Sequence, residues 1–366
     1  MAGRRLRIGI DAHVIGARLT GNERVMAGVL PALREICDHE LVLYFTDRSV
    51  AGSWPRWPGT EVKLLRPGRR ALRIPFTLPY RAARDRLDVL FVQYTAPPVV
   101  GCPVVTLVHD VCYAVHPEYY SRRDLLWMNR TIPFTMRRAA GVVTVSEFSR
   151  DEMVRVYGLP AEKIIVAHDG VGPPFTDPTP RPSPVEPPFF LSVGNLQPRK
   201  NVATLVAGYR QAVRRRPDLP ERLVIVGQEW FAAEQLHRDT EDLRRAGRVV
   251  FTGYVDDEAL VGLLQHATAF GYPSVYEGFG LPPVEAMAAG TPALVSDIPV
   301  MHEVAADAAL RLPARDPSAW AEALLKVADD HELRADLVRK GRERAARFTW
   351  ERSARAILTA IEKACR

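Results

Sequence analysis

The chain has 366 residues, too many for one ordinary hydrophobic core and enough for two domains of roughly 150 to 200 residues each. Its composition, 47% hydrophobic and 25% charged, is that of a globular protein, and no run approaches the roughly 18 consecutive apolar residues of a membrane span. The net charge of +6 is carried by the first half, because residues 1–175 hold 24 Lys and Arg against 17 Asp and Glu.

The N-terminus leads almost directly into the strand-like sequence RIGI and lacks the apolar stretch and cleavage site of a secretory signal. The four cysteines show neither a C-x-x-C pair nor the spacing of a zinc site, so we expect reduced thiols. Both observations favour a cytoplasmic protein.

Apolar, β-rich runs and amphipathic segments of helix length alternate through the first half. The predicted strands are 6–12, 40–45, 62–66, 88–93, 103–110, 140–146 and 163–170, with helices that include 23–36 and 121–138. Ser149 and Glu152 fit a capping box for a helix that follows the sixth strand. Near-continuous apolar strands separated by helices predict a parallel sheet covered on both faces.

One segment of this half is strongly basic. Its arginines are Arg66, Arg69, Arg70, Arg73, Arg81, Arg84 and Arg86, interleaved with Leu72, Ile74, Phe76, Leu78 and Tyr80. Such a segment is either an ordinary solvated face or a surface that meets an anionic membrane or an acidic substrate.

Eight of the eighteen residues in 172–189 are proline, which predicts a stiff interdomain linker at 176–188. The alternation then resumes. The predicted strands are 189–195, 222–228, 248–255, 267–274, 291–297 and 308–313, with helices at 201–215, 233–246, 256–265 and 281–289 and beyond 317. We therefore expect an α/β fold of two Rossmann-like domains, 1–175 and 189–350, facing each other across a cleft that binds the ligand.

The strongest motif is the segment 274–292, SVYEGFGLPPVEAMAAGTP, in which a glycine-rich turn leads from a strand into a helix. The turn comprises Gly278, Phe279, Gly280 and Leu281, and the amides of 279–281 at the positive end of the helix would hold a diphosphate. Glu277 and Glu285, eight residues apart, would accept hydrogen bonds from hydroxyls of a sugar and a ribose.

Two further segments carry candidate residues. In VGNLQPRKN (193–201), Arg199 and Lys200 follow a strand and would neutralise a leaving diphosphate, the alternative being an exposed basic loop. In VHD (108–110), His109 ends a strand and would orient the donor sugar or bind the acceptor, with Asp110 as its orienter; the alternative is a structural histidine. Gly21, before the first long helix, would allow the backbone to approach the diphosphate, whereas Glu23 and Arg24 fit a surface cap equally well.

These segments together resemble the GT-B fold glycosyltransferases, specifically the large retaining family four, whose Glu-x7-Glu motif is similar to 277–285. The resemblance implies that Glu277 contacts the donor sugar, Glu285 the ribose, and Arg199 and Lys200 the leaving diphosphate. Asn195 stands where many members carry an arginine, and Val255 falls where backbone groups meet the nucleobase. The resemblance also implies that the terminal helix, 351–366, packs back on the N-terminal, acceptor-binding domain.

The implied activity is transfer of a hexose from a nucleoside-diphosphate sugar with retention of configuration and without a metal or other cofactor. The VHD segment resembles that of bacterial mannosyl- and rhamnosyltransferases of surface polysaccharides, which favours GDP-mannose, with a UDP-sugar as the rival donor. The expected acceptor is a saccharide or polyprenyl-linked glycan, with peripheral contact to an anionic membrane but no nucleic-acid partner.

Three other functions remain open at this point. A nucleotide-sugar epimerase would use the same scaffold without an acceptor, and a non-catalytic partner subunit would retain only nucleotide binding. A nicotinamide-dependent oxidoreductase is disfavoured, because no G-x-G-x-x-G follows the first strand.

Overall fold

The computed structural model describes residues 4–16, 20–229 and 233–366. The chain forms two compact units. Unit 1 comprises the residues up to Gly170 together with Thr349–Arg366, and unit 2 comprises Val171–Phe348. None of the helices in the described ranges combines the length and the apolar composition needed to cross a lipid bilayer.

Unit 1 is built on a parallel sheet whose described strands follow the order β3-β2-β1-β4-β5-β6-β7. The strands are β1 (Arg7–Asp11), β2 (Glu40–Phe45), β3 (Thr60–Leu64), β4 (Val89–Gln93), β5 (Val104–Leu107), β6 (Gly141–Thr144) and β7 (Ile164–Val166). The central strand β4 is buried along its whole length, as expected for a strand with helices on both faces of the sheet. Six of these strands lie within the apolar runs that predicted them, and β3 overlaps the predicted run 62–66 but begins two residues earlier.

Helices cover this sheet. They are α1 (Thr20–Ile36), α2 (Arg48–Ser53), α3 (Arg70–Leu72), α4 (Leu78–Arg84), α5 (Cys112–Val115), α6 (Arg122–Arg138) and α7 (Glu147–Tyr157). A π-helical turn, Arg73–Thr77, joins α3 to α4, so the basic segment is helical over much of its length. Short 3₁₀ turns lie at Pro117–Tyr119 and Ala161–Lys163.

The capping residue predicted for α7 was wrong. The helix begins at Glu147, and the hydroxyl of Ser146 accepts the backbone N–H of Ser149 at 2.9 Å. Ser149 lies inside the first turn and is buried, and Glu152 pairs with Arg155 at 2.7 Å instead of closing a capping box. The strand that precedes the helix ends at Thr144, which leaves Ser146 in the extended conformation that an N-cap requires.

Unit 2 repeats the architecture with a parallel sheet of strand order β10-β9-β8-β11-β12-β13. Its described strands are β8 (Phe189–Val193), β9 (Arg222–Val226), β10 (Val249–Gly253), β11 (Ala269–Tyr272), β12 (Ala293–Ser296) and β13 (Ala309–Leu312). The helices are α8 (Val202–Arg215), α9 (Ala233–Asp239), α10 (Glu241–Arg245), α11 (Asp257–His266), α12 (Leu281–Ala289), α13 (Pro299–Val304), α14 (Pro317–Asp329) and α15 (His331–Ala345), with a 3₁₀ turn at Pro198–Lys200. Trp320, Tyr209 and Phe190 are fully buried members of its core.

The single helix predicted over 233–246 is two helices, which meet at Thr240. The Thr240 hydroxyl donates to the carbonyls of Leu236 at 2.8 Å and His237 at 3.2 Å. A threonine side chain that binds the preceding backbone carbonyls competes with regular helical hydrogen bonding, and the helix is interrupted there.

The proline-rich segment is held against α11 of the same unit. Arg181 N donates to Gln265 Oε1 at 2.8 Å, and Gln265 Nε2 donates to the Thr179 carbonyl at 3.1 Å. A Cβ atom on Gly262 would lie 2.1 Å from the Pro182 carbonyl oxygen, so glycine is needed for this close approach. The segment is therefore a packed part of unit 2 and not only a spacer.

The terminal helix α16 (Trp350–Ala364) packs on α1 and on strands β4 to β7 of the unit 1 sheet. Ser353, Ala354 and Ile357 are buried members of its inner face. Glycines admit its first residue, Trp350, because a Cβ on Gly28 would lie 2.2 Å from the indole and one on Gly170 would lie 2.3 Å from the Trp350 backbone nitrogen. The helix thus contributes to the core of unit 1.

Candidate active site

The carboxyl ends of two neighbouring strands of unit 2 bring the main candidate residues together. Arg199 and Lys200 lie in the turn after β8, and Glu277 lies in the turn between β11 and α12. Because β8 and β11 are adjacent and parallel, the two turns meet at the same edge of the sheet although they are far apart in sequence. The backbone N–H of Val275 donates to the Arg199 carbonyl at 2.9 Å, which fixes one turn against the other.

Glu277 is the centre of this cluster. Its Oε1 accepts from Lys200 Nζ at 2.6 Å and from the Tyr272 hydroxyl at 2.8 Å, and its Oε2 accepts from Arg199 Nη1 at 2.8 Å. Lys200 Nζ also lies 2.7 Å from the Tyr272 hydroxyl. We call Arg199, Lys200, Tyr272 and Glu277 the Glu277 cluster.

The charges of the cluster stabilise one another. Burial alone would raise the pKa of the Glu277 carboxyl, but the positive charges of Arg199 and Lys200 outweigh burial and lower it to about 2. Burial and the neighbouring carboxylate raise the pKa of Tyr272, so its phenol keeps its proton. Two cations against one carboxylate leave a surplus of one positive charge, and the side chains of Arg199 and Lys200 are 18% and 13% exposed.

The backbone around the two cations is held in an unusual conformation. Asn201 has φ 52° and directs its Nδ2 to the carbonyls of Pro273 at 3.0 Å and Ala314 at 2.6 Å. A Cβ on Gly227 would lie 2.0 Å from the Gly194 carbonyl oxygen, which requires glycine where the loops after β8 and β9 touch. Asn195 follows Gly194 in this loop and is half-buried.

The turn into α12 is the segment in which the sequence predicted an anion site. Gly280 has φ 98° at the helix N-cap, a left-handed conformation that favours glycine, and no side chain of the described residues forms a cap hydrogen bond there. Pro282 and Pro283 carry no backbone N–H, so the donors at this end are the amides of 279–281. Gly278, Phe279 and Leu281 are all buried.

Two predicted donor-binding residues lie outside the Glu277 cluster. Glu285 is 4% exposed on the second turn of α12, and Val255 is half-buried in the loop between β10 and α11. Their contacts with a nucleotide stay predictions.

In unit 1, His109 lies two residues beyond β5 and is 8% exposed. Its Nε2 lies 3.4 Å from Oε1 of Gln93, the last residue of the adjacent strand β4. Burial lowers the pKa of the imidazole to about 4, so His109 is neutral at physiological pH. Asp110, the predicted orienter, accepts the backbone N–H of Cys112 at 2.9 Å, and its effect on His109 stays a prediction.

Sequence reasoning missed Gln93. Its side chain is 5% exposed, and its Nε2 is buried without a hydrogen-bond partner among the described residues. The available signal was its place as a polar residue at the end of an otherwise apolar strand, next to the strand that leads to His109.

The sequence also did not single out a buried ion pair at the end of β1. Arg73, in the π-helical turn, places Nη1 at 2.9 Å from both carboxylate oxygens of Asp11, and the two residues are 4% and 2% exposed. His13 Nδ1 lies 3.1 Å from Asp11 Oδ1. Burial would raise the pKa of Asp11, but His13 and Arg73 outweigh it and lower the pKa below its usual value.

Gly21 was predicted in a loop and lies instead in the first turn of α1, which begins at Thr20. The helix starts earlier than expected, and Glu23 Oε1 accepts the backbone N–H of Gly16 at 2.7 Å across the start of the helix. A Cβ on Gly21 would meet no atom of the described residues within 4 Å. Packing inside the protein therefore does not explain the glycine, and its role toward a diphosphate stays a prediction.

The matches to known proteins agree with this arrangement. The family of glycosyl transferases group 1 matches residues 176–344, and glycosyltransferase family 4 matches residues 20–173. O-antigen chain mannosyltransferase B of Escherichia coli is 31% identical over 259 residues, which are 68% of this chain and 67% of that protein. The O-antigen chain mannosyltransferase RfbU of Salmonella typhimurium is 30% identical over 221 residues, 60% of this chain and 59% of that protein, so the match spans less than two thirds of that relative.

Solved structures share the fold along nearly the whole chain. Sucrose-phosphate synthase from Thermosynechococcus elongatus aligns with a TM-score of 0.76 at 20% identity, covering 97% of this chain and 98% of that one. Anabaena HepE in complex with UDP and glucose aligns with a TM-score of 0.73 at 17% identity, covering 98% and 100%. The chain therefore has the GT-B fold and belongs to the group 1 glycosyltransferases, glycosyltransferase family 4.

Proposed function

We propose that this glycosyltransferase moves a mannosyl residue from GDP-mannose to a glycan or polyprenyl-linked acceptor with retention of the anomeric configuration. The observation that carries the proposal is the Glu277 cluster beside the N-terminus of α12, with its surplus positive charge. The choice of mannose is supported by the two mannosyltransferases to which the chain is about 30% identical.

In this mechanism the donor diphosphate lies against Arg199, Lys200 and the amides of 279–281. As the bond between the anomeric carbon and the phosphate oxygen breaks, negative charge grows on the diphosphate, and the two cations stabilise it. The acceptor hydroxyl forms the new bond to the anomeric carbon on the face that the diphosphate leaves, and its proton passes to a phosphate oxygen. Glu277 stays ionised throughout, because its pKa is about 2, and accepts a hydroxyl of the transferred sugar.

Neutral His109 has a different role in this proposal. An imidazole without charge donates or accepts a hydrogen bond to a sugar hydroxyl without competing with Arg199 and Lys200 for the diphosphate. Gln93 Oε1 favours the tautomer that carries its proton on Nε2, which leaves Nδ1 as the acceptor.

The site supplies two cations and a helix N-terminus, the same kind of stabilisation that a divalent cation gives a leaving diphosphate. We therefore propose that transfer proceeds without a metal. Full activity after chelation with EDTA is the expected result, and restoration of activity by added Mg²⁺ alone would contradict this part of the proposal.

Nucleotide binding is tested by thermal shift of the wild type and Lys200→Ala with GDP, UDP, ADP and their sugar conjugates. We expect GDP and GDP-mannose to stabilise the wild type and to lose their effect in Lys200→Ala. A shift caused by UDP alone would indicate that the donor is a UDP-sugar. No shift with any nucleotide would contradict the proposed function.

Reaction type is tested by product analysis. We expect GDP to accumulate in proportion to a glycosylated acceptor, with the α-anomeric configuration of GDP-mannose retained in the product when measured by NMR. Conversion of the nucleotide sugar to an isomer without any acceptor would indicate the epimerase alternative. Nucleotide binding without turnover would indicate a non-catalytic subunit.

A further inference from the structure

Unit 1 concentrates exposed apolar side chains on two helical stripes. Seven large hydrophobic side chains are exposed among the described residues, and five of them belong to these stripes. Such clustering distinguishes a contact surface from the scattered apolar residues of an ordinary surface.

The first stripe runs along the segment from α3 to α4. Arg69, Leu72, Phe76, Tyr80 and Arg84 follow one another at intervals of three or four residues, and all are exposed. Phe76 is 66% exposed and Tyr80 59% exposed. Arg84 Nη1 donates to the Tyr80 hydroxyl at 3.0 Å, so the charge at this end lies beside an aromatic ring.

The second stripe runs along α6. Arg123, Leu126, Arg130, Phe134 and Arg138 recur at the same helical spacing and are exposed, with Leu126 at 74%. The Arg138 guanidinium lies 5.3 Å from the centre of the Phe134 ring.

A contact between the two segments joins the stripes. The Arg70 guanidinium, next to Leu72, lies 4.6 Å from the centre of the Trp127 ring, next to Leu126. We call the two stripes together the basic apolar surface.

None of the exposed arginines of this surface forms a salt bridge with an acid in the ranges that the structure describes. Arg73, the buried member of the segment, is bound by Asp11 and anchors the first stripe from beneath. In unit 2 the exposed arginines Arg238, Arg245 and Arg339 pair with Glu234, Glu241 and Asp336. Within the described residues, therefore, no salt bridge neutralises the exposed arginines of the basic apolar surface.

We infer that the basic apolar surface binds the surface of an anionic lipid bilayer. Arginine beside aromatic and aliphatic side chains on one face matches both parts of such a bilayer, since the guanidinium groups meet anionic headgroups while the apolar groups enter the acyl boundary. A purely acidic partner would bind the arginines but would make no apolar contact with Phe76 and Leu126. The inference concerns unit 1 alone and does not depend on the identity of the donor sugar.

The test is co-sedimentation of the full chain with vesicles of phosphatidylglycerol and phosphatidylcholine in equal parts, and with vesicles of phosphatidylcholine alone. We expect the wild type to bind the mixed vesicles and not the neutral ones, and to be released in part by salt that screens the headgroup charge. Failure to bind the mixed vesicles, or equal binding to both kinds, would overturn the inference.

Three variants locate the binding. Arg69→Gln/Arg123→Gln/Arg130→Gln is expected to weaken binding about a hundredfold, at about fivefold for each charge. Leu72→Ser/Phe76→Ser/Leu126→Ser is expected to weaken it at least about tenfold. The control Arg238→Gln/Arg245→Gln/Arg339→Gln removes the same net charge from unit 2 and is expected to stay within about threefold of the wild type.

An equal loss in the control would show that total charge alone drives binding, and unchanged binding of the serine variant would indicate a general polyanion site; either result would overturn the inference. Melting temperature and the nucleotide shift of each variant confirm that it folds. Should a variant fail to fold, the comparison of the two vesicle types on the wild type still decides the question.

Discussion

The carboxyl edges of the two sheets both contain carboxylates bound to cations, yet they differ in how the charge is balanced. In unit 1, Asp11 binds Arg73 in an almost fully buried pair and also lies beside His13, and His109, after β5, is neutral. In unit 2, one carboxylate holds two cations that are partly exposed. The same chemistry therefore anchors a segment in one unit and, in the other, presents a surplus positive charge, to which the proposed function assigns an anionic donor.

The largest effect on this comparison is expected from Arg73→Leu, which removes the guanidinium from the buried Asp11 and leaves His13 beside the carboxylate. We expect the free energy of unfolding to fall by about 3–5 kcal/mol, measured by urea denaturation. The double variant Asp11→Leu/Arg73→Leu should recover much of the loss, because no charge then remains buried. A loss below about 1 kcal/mol in the single variant would show that the pair is not sealed in solution.

The functional half of the comparison is tested by Lys200→Ala. In the proposed mechanism Lys200 stabilises the leaving diphosphate, so its removal is expected to lower the rate of transfer about 10²–10³-fold, measured in steady-state kinetics. The matched control is Lys63→Ala in unit 1, where Lys63 also pairs with two carboxylates, those of Glu61 at 2.9 Å and Asp85 at 2.6 Å. Equal losses in the two variants would mean that the effect reflects stability and not the charge at the site.

A third prediction concerns the pH dependence of the Glu277 cluster. The folded pKa of Glu277 is about 2, below its ordinary value, so the stability that its charge supplies is complete above the unfolded pKa and is lost as pH falls through about 2. We expect Glu277→Gln to cost about 3 kcal/mol of unfolding free energy at neutral pH.

The measurement is a series of melting curves at decreasing pH. The difference between wild type and Glu277→Gln should shrink toward zero as the pH approaches about 2. A difference that stays constant on acidification would show that Arg199 and Lys200 do not stabilise the carboxylate.

The smallest effect is expected from the neutral pair in unit 1. Gln93→Leu removes the contact with His109. We expect it to slow transfer about tenfold, which corresponds to the loss of about one hydrogen bond. Gln93→Glu places a negative charge at the same position and should raise the pKa of His109 from about 4, measured by NMR titration. No change in that pKa would rule out a direct contact between the two side chains.

The strands and most helices could be predicted from the sequence, because fully buried parallel strands are nearly continuous apolar runs and Gly280 and Pro282 mark the start of α12. The interruption at Thr240 could not be predicted, because it depends on the Thr240 hydroxyl donating to backbone carbonyls and not to solvent. The candidate site was predicted as residue types and spacings, whereas the contact of Glu277 with both Arg199 and Lys200 follows from the pairing of β8 with β11. Arg73 could not be told apart from its exposed neighbours, because burial is set by the packing of the π-helical turn on β1.

The path of the chain through the two units has a consequence for synthesis on the ribosome. The backbone N–H of Val171 donates to the Phe348 carbonyl at 3.0 Å, so unit 2 starts and finishes at one point and is complete before α16 emerges. Unit 1, although begun first, receives Trp350 and the rest of α16 only after the whole of unit 2 has been translated. The nascent chain must therefore carry an unfinished first unit, with the groove for Trp350 between Gly28 and Gly170 unfilled, while the second unit is already able to fold.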